Sequence, residues 1–372
     1  MGVVCASRNG ESCEPTVHKA RSQNRQDVCG DLTKPICHCL RLLSFKGESL
    51  PRRIFITGAA GFIGSHLTDK LLDLGLEVVG FDNLSSGDRL NLAGAMKDSR
   101  FRFVQGDLAD FEGTRRALGE SELVFHLAAD PEVNIGGEDP GSHFRQNLQA
   151  TYALLEAIRK RGAPTRFVFA SSSTVYGEAS IVPTPEEYGP LLPISTYGAT
   201  KLGCEALAAA YTQLMPLQVV IFRFANAVGT RAKHGVIYDF IVKLRRNPRE
   251  LEVLGDGTQT KSYLHVDDCL DAILLSRDDA FWKKAVELYN IGSEDQANVV
   301  RIAEIVTEAM RLHNVHIRMT QPHGGRAWPG DVKKMQLDIA KIKRHGWEPK
   351  RNSEGAVRLA AEQLIQALGP NH

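Results

Sequence analysis

Tyr197 and Lys201 lie four residues apart in a stretch of helical character, so both side chains emerge on one face and can reach the same atom. A phenol with an ordinary pKa of about 10 is a poor base at neutral pH, and a neighbouring ammonium lowers it, which makes Tyr197 a candidate general base. By itself a Y-x-x-x-K spacing also describes an ordinary surface helix pair. The run Ser171-Ser172-Ser173-Thr174-Val175-Tyr176-Gly177 adds context, because it follows an apolar strand-like segment at Arg166 to Ala170. Hydroxyls at the carboxyl end of a parallel strand stand where open α/β sheets place their ligands.

A second constellation lies near the start of the ordered-looking chain. Thr57-Gly58-Ala59-Ala60-Gly61-Phe62-Ile63-Gly64 is a G-x-x-G-x-x-G turn between a strand-like run, Arg53 to Ile56, and an amphipathic stretch, Phe62 to Leu74. Glycines allow the tight turn, the close approach of a pyrophosphate and the packing of helix on strand, and the helix N-terminus offers free N–H groups to phosphate. Asp82 follows Gly64 by 18 residues, about where a carboxylate accepts hydrogen bonds from the adenine ribose. A carboxylate there repels a 2′-phosphate, so the cofactor reads as NAD; Arg89 is the counter-argument. Asp107 is placed to cap the adenine, and Ala128-Ala129 are small enough for the cofactor to pass over the sheet edge.

Positioning these groups requires a sheet. Short β-branched runs at 53–56, 77–81, 102–105, 123–127, 166–170 and 219–224 alternate with helical patterns at 62–74, 142–161 and 197–214. This predicts an α/β fold with a doubly wound parallel sheet of the Rossmann type. After Phe224 the alternation loosens, which predicts a smaller C-terminal α+β substrate lobe: residues 51–226 form the cofactor domain, with 263–292 returning to it, while 227–262 and 293–368 form the lobe. Lys and Arg total 45 against 44 Asp and Glu, a net +1, so nothing suggests a nucleic-acid or anionic-membrane partner. No run reaches the roughly 18–20 apolar residues of a membrane span, and no signal-peptide core precedes the glycine turn; the expected location is the cytoplasm. Residues 1–50 read as an extension, disordered or a start-site artefact. Five of the seven cysteines fall there, but Cys37 and Cys39 are too close for a zinc knuckle, so no metal is expected.

Seven motifs occur in order: T-G-A-A-G-F-I-G-S-H-L, F-D-N-L-S-S-G, G-D-L, H-L-A-A, S-S-S-T-V-Y-G, Y-G-A-T-K and F-R-F-A-N-A-V-G. Over about residues 52–368 the chain resembles the extended short-chain dehydrogenase/reductases of the NAD-dependent epimerase/dehydratase type, and among these the UDP-glucose 4-epimerases. The resemblance implies Tyr197 as base, Lys201 as ribose anchor, Ser172 bonded to the sugar O4 and Thr174 as a second sugar contact. It implies a cofactor set of Gly58, Gly61, Phe62, Ile63, Gly64, Asp82, Asn83, Ser85, Gly87, Asp107, Leu108, Ala128, Ala129 and Asn147, besides Tyr197 and Lys201. It also implies Asn226, Lys261 and Tyr263 on the substrate, with Asp331 at the uridine ribose. Two departures stand out. Lys261 replaces the arginine of an R-x-Y motif, and Trp328 occupies the position of a phosphate-binding arginine, leaving Arg326 as its substitute.

The implied reaction is C4 epimerisation of a nucleotide sugar such as UDP-glucose. Tyr197 takes the 4-hydroxyl proton, a hydride passes to NAD, the 4-keto sugar turns over and the hydride returns to the other face. Dehydratases of this family carry an Asp-Glu pair where this chain has Ser173-Thr174. A net oxidoreductase, a decarboxylase and a non-catalytic NAD or nucleotide-sugar binder are the rival readings. Apolar residues around 152–158 and 202–214 could pair two copies across a two-fold axis, and the resemblance implies a homodimer.

Overall fold

The computed structural model describes residues 53–134, 139–321 and 323–369; the cysteine-rich stretch read as an extension lies outside them. In chain order the strands are β1 (Arg53–Thr57), β2 (Glu77–Asp82), β3 (Phe101–Gln105), β4 (Leu123–His126), β5 (Thr165–Ser172), β6 (Leu217–Phe224), β7 (Asn226–Val228), β8 (Glu250–Leu254), β9 (Thr260–Lys261), β10 (Tyr263–His265), β11 (Val286–Ile291), β12 (Ala297–Asn298), β13 (His316–Thr320) and β14 (Lys334–Met335). The α-helices are α1 (Phe62–Asp73), α2 (Phe111–Leu118), α3 (Pro140–His143), α4 (Ala150–Arg161), α5 (Thr196–Tyr211), α6 (Val236–Arg246), α7 (Val266–Leu275), α8 (Val299–Ala309), α9 (Ala340–Lys343) and α10 (Ser353–Ala367).

Seven strands form one parallel sheet in the order β11-β6-β5-β4-β1-β2-β3. Alternate residues of each strand serve opposite faces, as the two-residue repeat demands. Ile54 and Ile56 of β1 pack with Leu67 and Leu71 of α1 and Leu270 and Ile273 of α7. Phe55 between them joins Leu118 of α2, Leu154 and Ile158 of α4 and Ala208 of α5. The sheet is therefore covered on both sides, which is the expected doubly wound Rossmann-like architecture. Phe55, Phe125, Phe167 and Phe222 are all at most 0% exposed, and each such side chain contributes roughly 1.5–3 kcal/mol of burial.

A third apolar cluster lies apart from the sheet. Ile237, Phe240 and Ile241 of α6 meet Leu251 and Val253 of β8, Ile302 and Ile305 of α8, and Val357 and Ala361 of α10. It draws on chain before and after β11. The elements depart from the sequence reading in several places. β5 runs on to Ser172, so the hydroxyl cluster begins inside the strand. The segment read as one helix at 142–161 is α3, a π-helical turn at Phe144–Gln149 and α4, and helical periodicity alone does not separate these. The edge strand β11 was not read at all.

Candidate active site

The carboxyl ends of the central strands open on one continuous cavity of ≈ 790 Å³. At one end the chain leaves β1 through the glycine turn. Gly58 has φ +71°, and a Cβ there would lie 2.7 Å from Ala128 N; a Cβ on Gly64 would lie 2.0 Å from Gly58 O. Only glycine satisfies both. Helix α1 follows its N-cap Gly61 with no side-chain cap bond, which leaves its first N–H groups without a side-chain acceptor, and Phe62 and Ile63 line the cavity.

Asp82 ends β2 beside this turn. Its carboxylate accepts from Ala60 N at 2.9 Å and Leu84 N at 2.7 Å, which fixes its orientation in the cavity wall while leaving further lone pairs. Burial raises its pKa, against those two hydrogen bonds. Asn83 Nδ2 donates to Asp107 Oδ2 at 2.9 Å, and Ser85, Leu108, Ala128 and Ala129 complete this end. An uncapped helix start, a turn stripped of Cβ atoms and a fixed carboxylate match the pyrophosphate and adenosine ribose of NAD. Arg89, the feature that argued for a 2′-phosphate, lies over the Phe103 ring at 5.6 Å. Gly87 sits behind the wall, where a Cβ would be 3.0 Å from Asp82 Oδ1.

Midway along the cavity stand Ser172, Thr174, Tyr197 and Lys201. Ser195 caps α5 by accepting from Gly198 N, so Tyr197 and Lys201 fall in its first two turns, on the side facing β5. Ser172 stands near enough to the Tyr197 hydroxyl to favour its ionised form. Thr174 Oγ1 donates to Ser172 Oγ at 3.0 Å. Lys201 is 3% exposed; its Nζ donates to Ala170 O at 2.9 Å and lies 5.8 Å from the Tyr197 ring centroid. From the chain's own groups alone, desolvation dominates the phenol. Burial pushes Tyr197 up to about 12, the nearby Asp130 carboxylate also opposing ionisation. The same burial pulls Lys201 down to about 8. Desolvation dominates both groups, and the ammonium donates to a strand carbonyl.

Supporting groups lie behind this wall. Asn147, in the π-helical turn, is 1% exposed and accepts from Asp130 N while donating to Thr200 Oγ1; it braces α5 without lining the cavity. His143 bonds Thr196 Oγ1 at 2.8 Å and the Glu132 carbonyl at 3.1 Å, with its ring edge-on to Tyr197. Glu205, one turn beyond Lys201, holds Arg223 through two bonds at 2.9 and 2.6 Å and also accepts from Ser171. The sequence reading missed His143 and Glu205. Glu205 was detectable as the next residue on the Tyr197–Lys201 face; His143 had no local signal.

At the far end the walls are Asn226, Lys261, Tyr263, Trp328 and Asp331. Lys261 Nζ is 2.6 Å from Asp331 Oδ1, and the Asp331 side chain is 1% exposed. Arg326 turns away, pairing with Glu178 at 2.6 Å and donating to the Asp331 carbonyl. The loop after β7, including Arg231 and His234, also contributes, and nothing in its sequence had singled it out.

A glycine turn, a carboxylate fixed beside it and a Ser-Tyr-Lys group on one parallel sheet fit a nicotinamide-dependent enzyme of the epimerase/dehydratase class. The chain belongs to the NAD dependent epimerase/dehydratase family, whose family model matches residues 54–292. A putative UDP-glucose 4-epimerase of Methanocaldococcus jannaschii is 32% identical over 82% of this chain and 96% of its own length. A crystal structure of a UDP-galactose 4-epimerase is 43% identical with a TM-score of 0.76, covering 85% of this chain and 100% of that one. A UDP-glucuronic acid decarboxylase of Arabidopsis thaliana is 32% identical over 85% of this chain and 90% of its own.

Proposed function

We propose that this chain is a nucleotide-sugar 4-epimerase, interconverting C4 epimers of a UDP-hexose with NAD retained between turnovers. The observation that carries the reading is the Tyr197–Ser172 hydroxyl pair, which opens on the same cavity as the glycine turn and has only hydroxyls around it at 172–174. When bound, NAD supplies a hydride acceptor and donor at its nicotinamide. Tyr197 takes the proton from the sugar 4-hydroxyl and returns it on the other face; Ser172 relays or holds that hydrogen bond, and Thr174 orients Ser172. Lys201 anchors the cofactor ribose and adds positive charge beside the phenol. The cavity walls at Asn226, Lys261, Tyr263 and Asp331 hold the nucleotide, with Arg326 supporting Asp331 from behind. Positioning and proton transfer are the residues' contribution to rate.

Elimination or decarboxylation would call for an acid or base beside the sugar at the strand end, and residues 172–174 carry none. The carboxylate of Glu132 comes from a separate loop. The UDP-glucose and UDP-galactose names among the relatives support the same choice. We further propose a homodimer through α4, α5 and the chain flanking them, supported by exposed Tyr152 of α4, Phe144 in the turn before it and Leu214 just beyond α5, at 49%, 55% and 64%, and a cytoplasmic location, which suits free Cys204 and Cys269.

The test is incubation of purified protein with UDP-glucose or UDP-galactose without added cofactor. Interconversion with no accumulated reduced nicotinamide is expected, and Tyr197→Phe should abolish turnover while keeping NAD bound. Net reduced cofactor, or carbon dioxide from UDP-glucuronate without a C4 epimer, would overturn the assignment.

A further inference from the structure

Helix α5 meets the end of β5 along a seam of residues spaced one helical turn apart. Tyr197 stands beside Ser172, Lys201 Nζ donates to Ala170 O at 2.9 Å, and Glu205 accepts from the Ser171 hydroxyl. Consecutive strand residues are thus met by one face of the helix. The first two contacts involve groups that the reaction uses. The third lies beneath them, outside the cavity wall, and the chemistry proposed above gives it no task.

Stability alone does not explain that third contact. Glu205 is 5% exposed and Arg223 3%, and a buried ion pair is often no more stabilising than apolar side chains of similar volume. The pair is, however, well placed to fix the strand. Arg223 of β6 stands opposite Ser171 in the sheet register, and its guanidinium lies 4.6 Å from the Tyr176 ring centroid. Tyr176 Oη in turn donates to Asn290 Oδ1 of β11 at 2.7 Å. The carboxylate is therefore held from the neighbouring strands, and it holds Ser171. Phe167 and Phe169 of β5 pack in the same cluster as Ala208 of α5, so Ser171 is the next side chain on the helix-facing side of the strand. With Ser171 pinned, the Ala170 carbonyl and the Ser172 hydroxyl on either side of it have set places relative to Lys201 and Tyr197.

Resting on the 4-epimerase reading above, we infer that Glu205 is a positioning residue: through its hold on Ser171 it sets the end of β5, and with it Ser172, where proton transfer by Tyr197 requires it. Because Glu205 lies outside the cavity wall, it acts on kcat and leaves substrate and NAD binding in place.

The experiment uses full-length, NAD-containing protein. Removing the carboxylate alone strands the Arg223 guanidinium, so two double variants that share Arg223→Met are compared. Glu205→Gln with Arg223→Met keeps an acceptor oxygen for Ser171; Glu205→Leu with Arg223→Met does not, and neither buries a charge. For interconversion of UDP-glucose and UDP-galactose, the Gln version should keep kcat within about twofold of wild type and the Leu version should lose roughly tenfold, with KM within about twofold and equal NAD content in both. Ser171→Ala, which leaves the ion pair intact, should reproduce the loss. Crystal structures of the two double variants give a reading independent of turnover: residues 170–172 should be displaced relative to Tyr197 in the Leu version and not in the Gln version. Equal kcat in the two double variants, or a strand end unmoved in the Leu version, overturns the inference. A loss confined to KM or to NAD content also overturns it, by assigning Glu205 to binding. A wild type that holds NAD without interconverting the two sugars overturns the epimerase reading, and the pair of crystal structures then decides the positioning role.

Discussion

Replacing Lys201 by Met should destroy catalysis and at the same time make the fold more stable. Lys201 is 3% exposed, and burial takes its ammonium from 10.5 to about 8, which at pH 7 disfavours the charged form by roughly 3 kcal/mol. Methionine occupies a similar volume without the charge. The lost bond from Nζ to the Ala170 carbonyl offsets about 1 kcal/mol of the gain, leaving a net stabilisation of about 2 kcal/mol. The pH dependence identifies the cause. The folded pKa lies below the unfolded one, so between about pH 8 and 10.5 the unfolded chain binds the extra proton, and the wild type gains stability as pH rises through that window. The variant has no such group, so its advantage should be full at pH 7 and gone above pH 10.5. Urea unfolding of nucleotide-free protein, followed by circular dichroism across this range, reads the difference directly. A variant less stable than wild type at pH 7, or a gap that does not narrow with rising pH, would refute the reasoning.

Asp82→Ala should relax the preference for NAD over NADP; unchanged discrimination in equilibrium binding would show that this carboxylate does not face the ribose. Gly64→Ala should cost most of the bound NAD and lower the melting temperature, because the new methyl carbon would lie 2.0 Å from Gly58 O; cofactor content of the purified variant checks this. Glu205→Ala should destabilise by about 3–5 kcal/mol, since it leaves the Arg223 guanidinium, 3% exposed, without its carboxylate. The double change Glu205→Gln, Arg223→Met should be far milder in the same unfolding measurement, and equal effects would mean the pair is not coupled.

The cofactor end of the cavity was legible in the sequence because its parts are local: a strand, a glycine turn and a helix lie within about twenty residues, and Asp82 is one strand away. The same holds for Tyr197 and Lys201, which share a helix face. The substrate end was harder. Its walls come from residues near 226, 261 and 328, brought together by short strands such as β9 and β14, whose two residues each leave no periodic signal. Electrostatics were the least legible. Spacing placed Lys201 near Tyr197, but only coordinates show the ammonium committed to Ala170 and both groups dominated by desolvation. For the same reason Arg326 reads in sequence as a phosphate ligand and in space as the partner of Glu178. The π-helical turn at Phe144–Gln149 is likewise invisible to periodicity, yet it aims Asn147 at Thr200.

The chain leaves the sheet after β6, returns for β11 and departs again, so the apolar cluster joining α6, β8, α8 and α10 is assembled from two separate stretches. During synthesis the first stretch emerges with Ile237, Phe240 and Ile241 covered only by Leu251 and Val253 of β8, until Ile302, Val357 and Ala361 have followed. A nascent chain halted after β11 would carry a finished sheet and a sticky half-lobe, the state in which chaperone engagement or aggregation competes with completion.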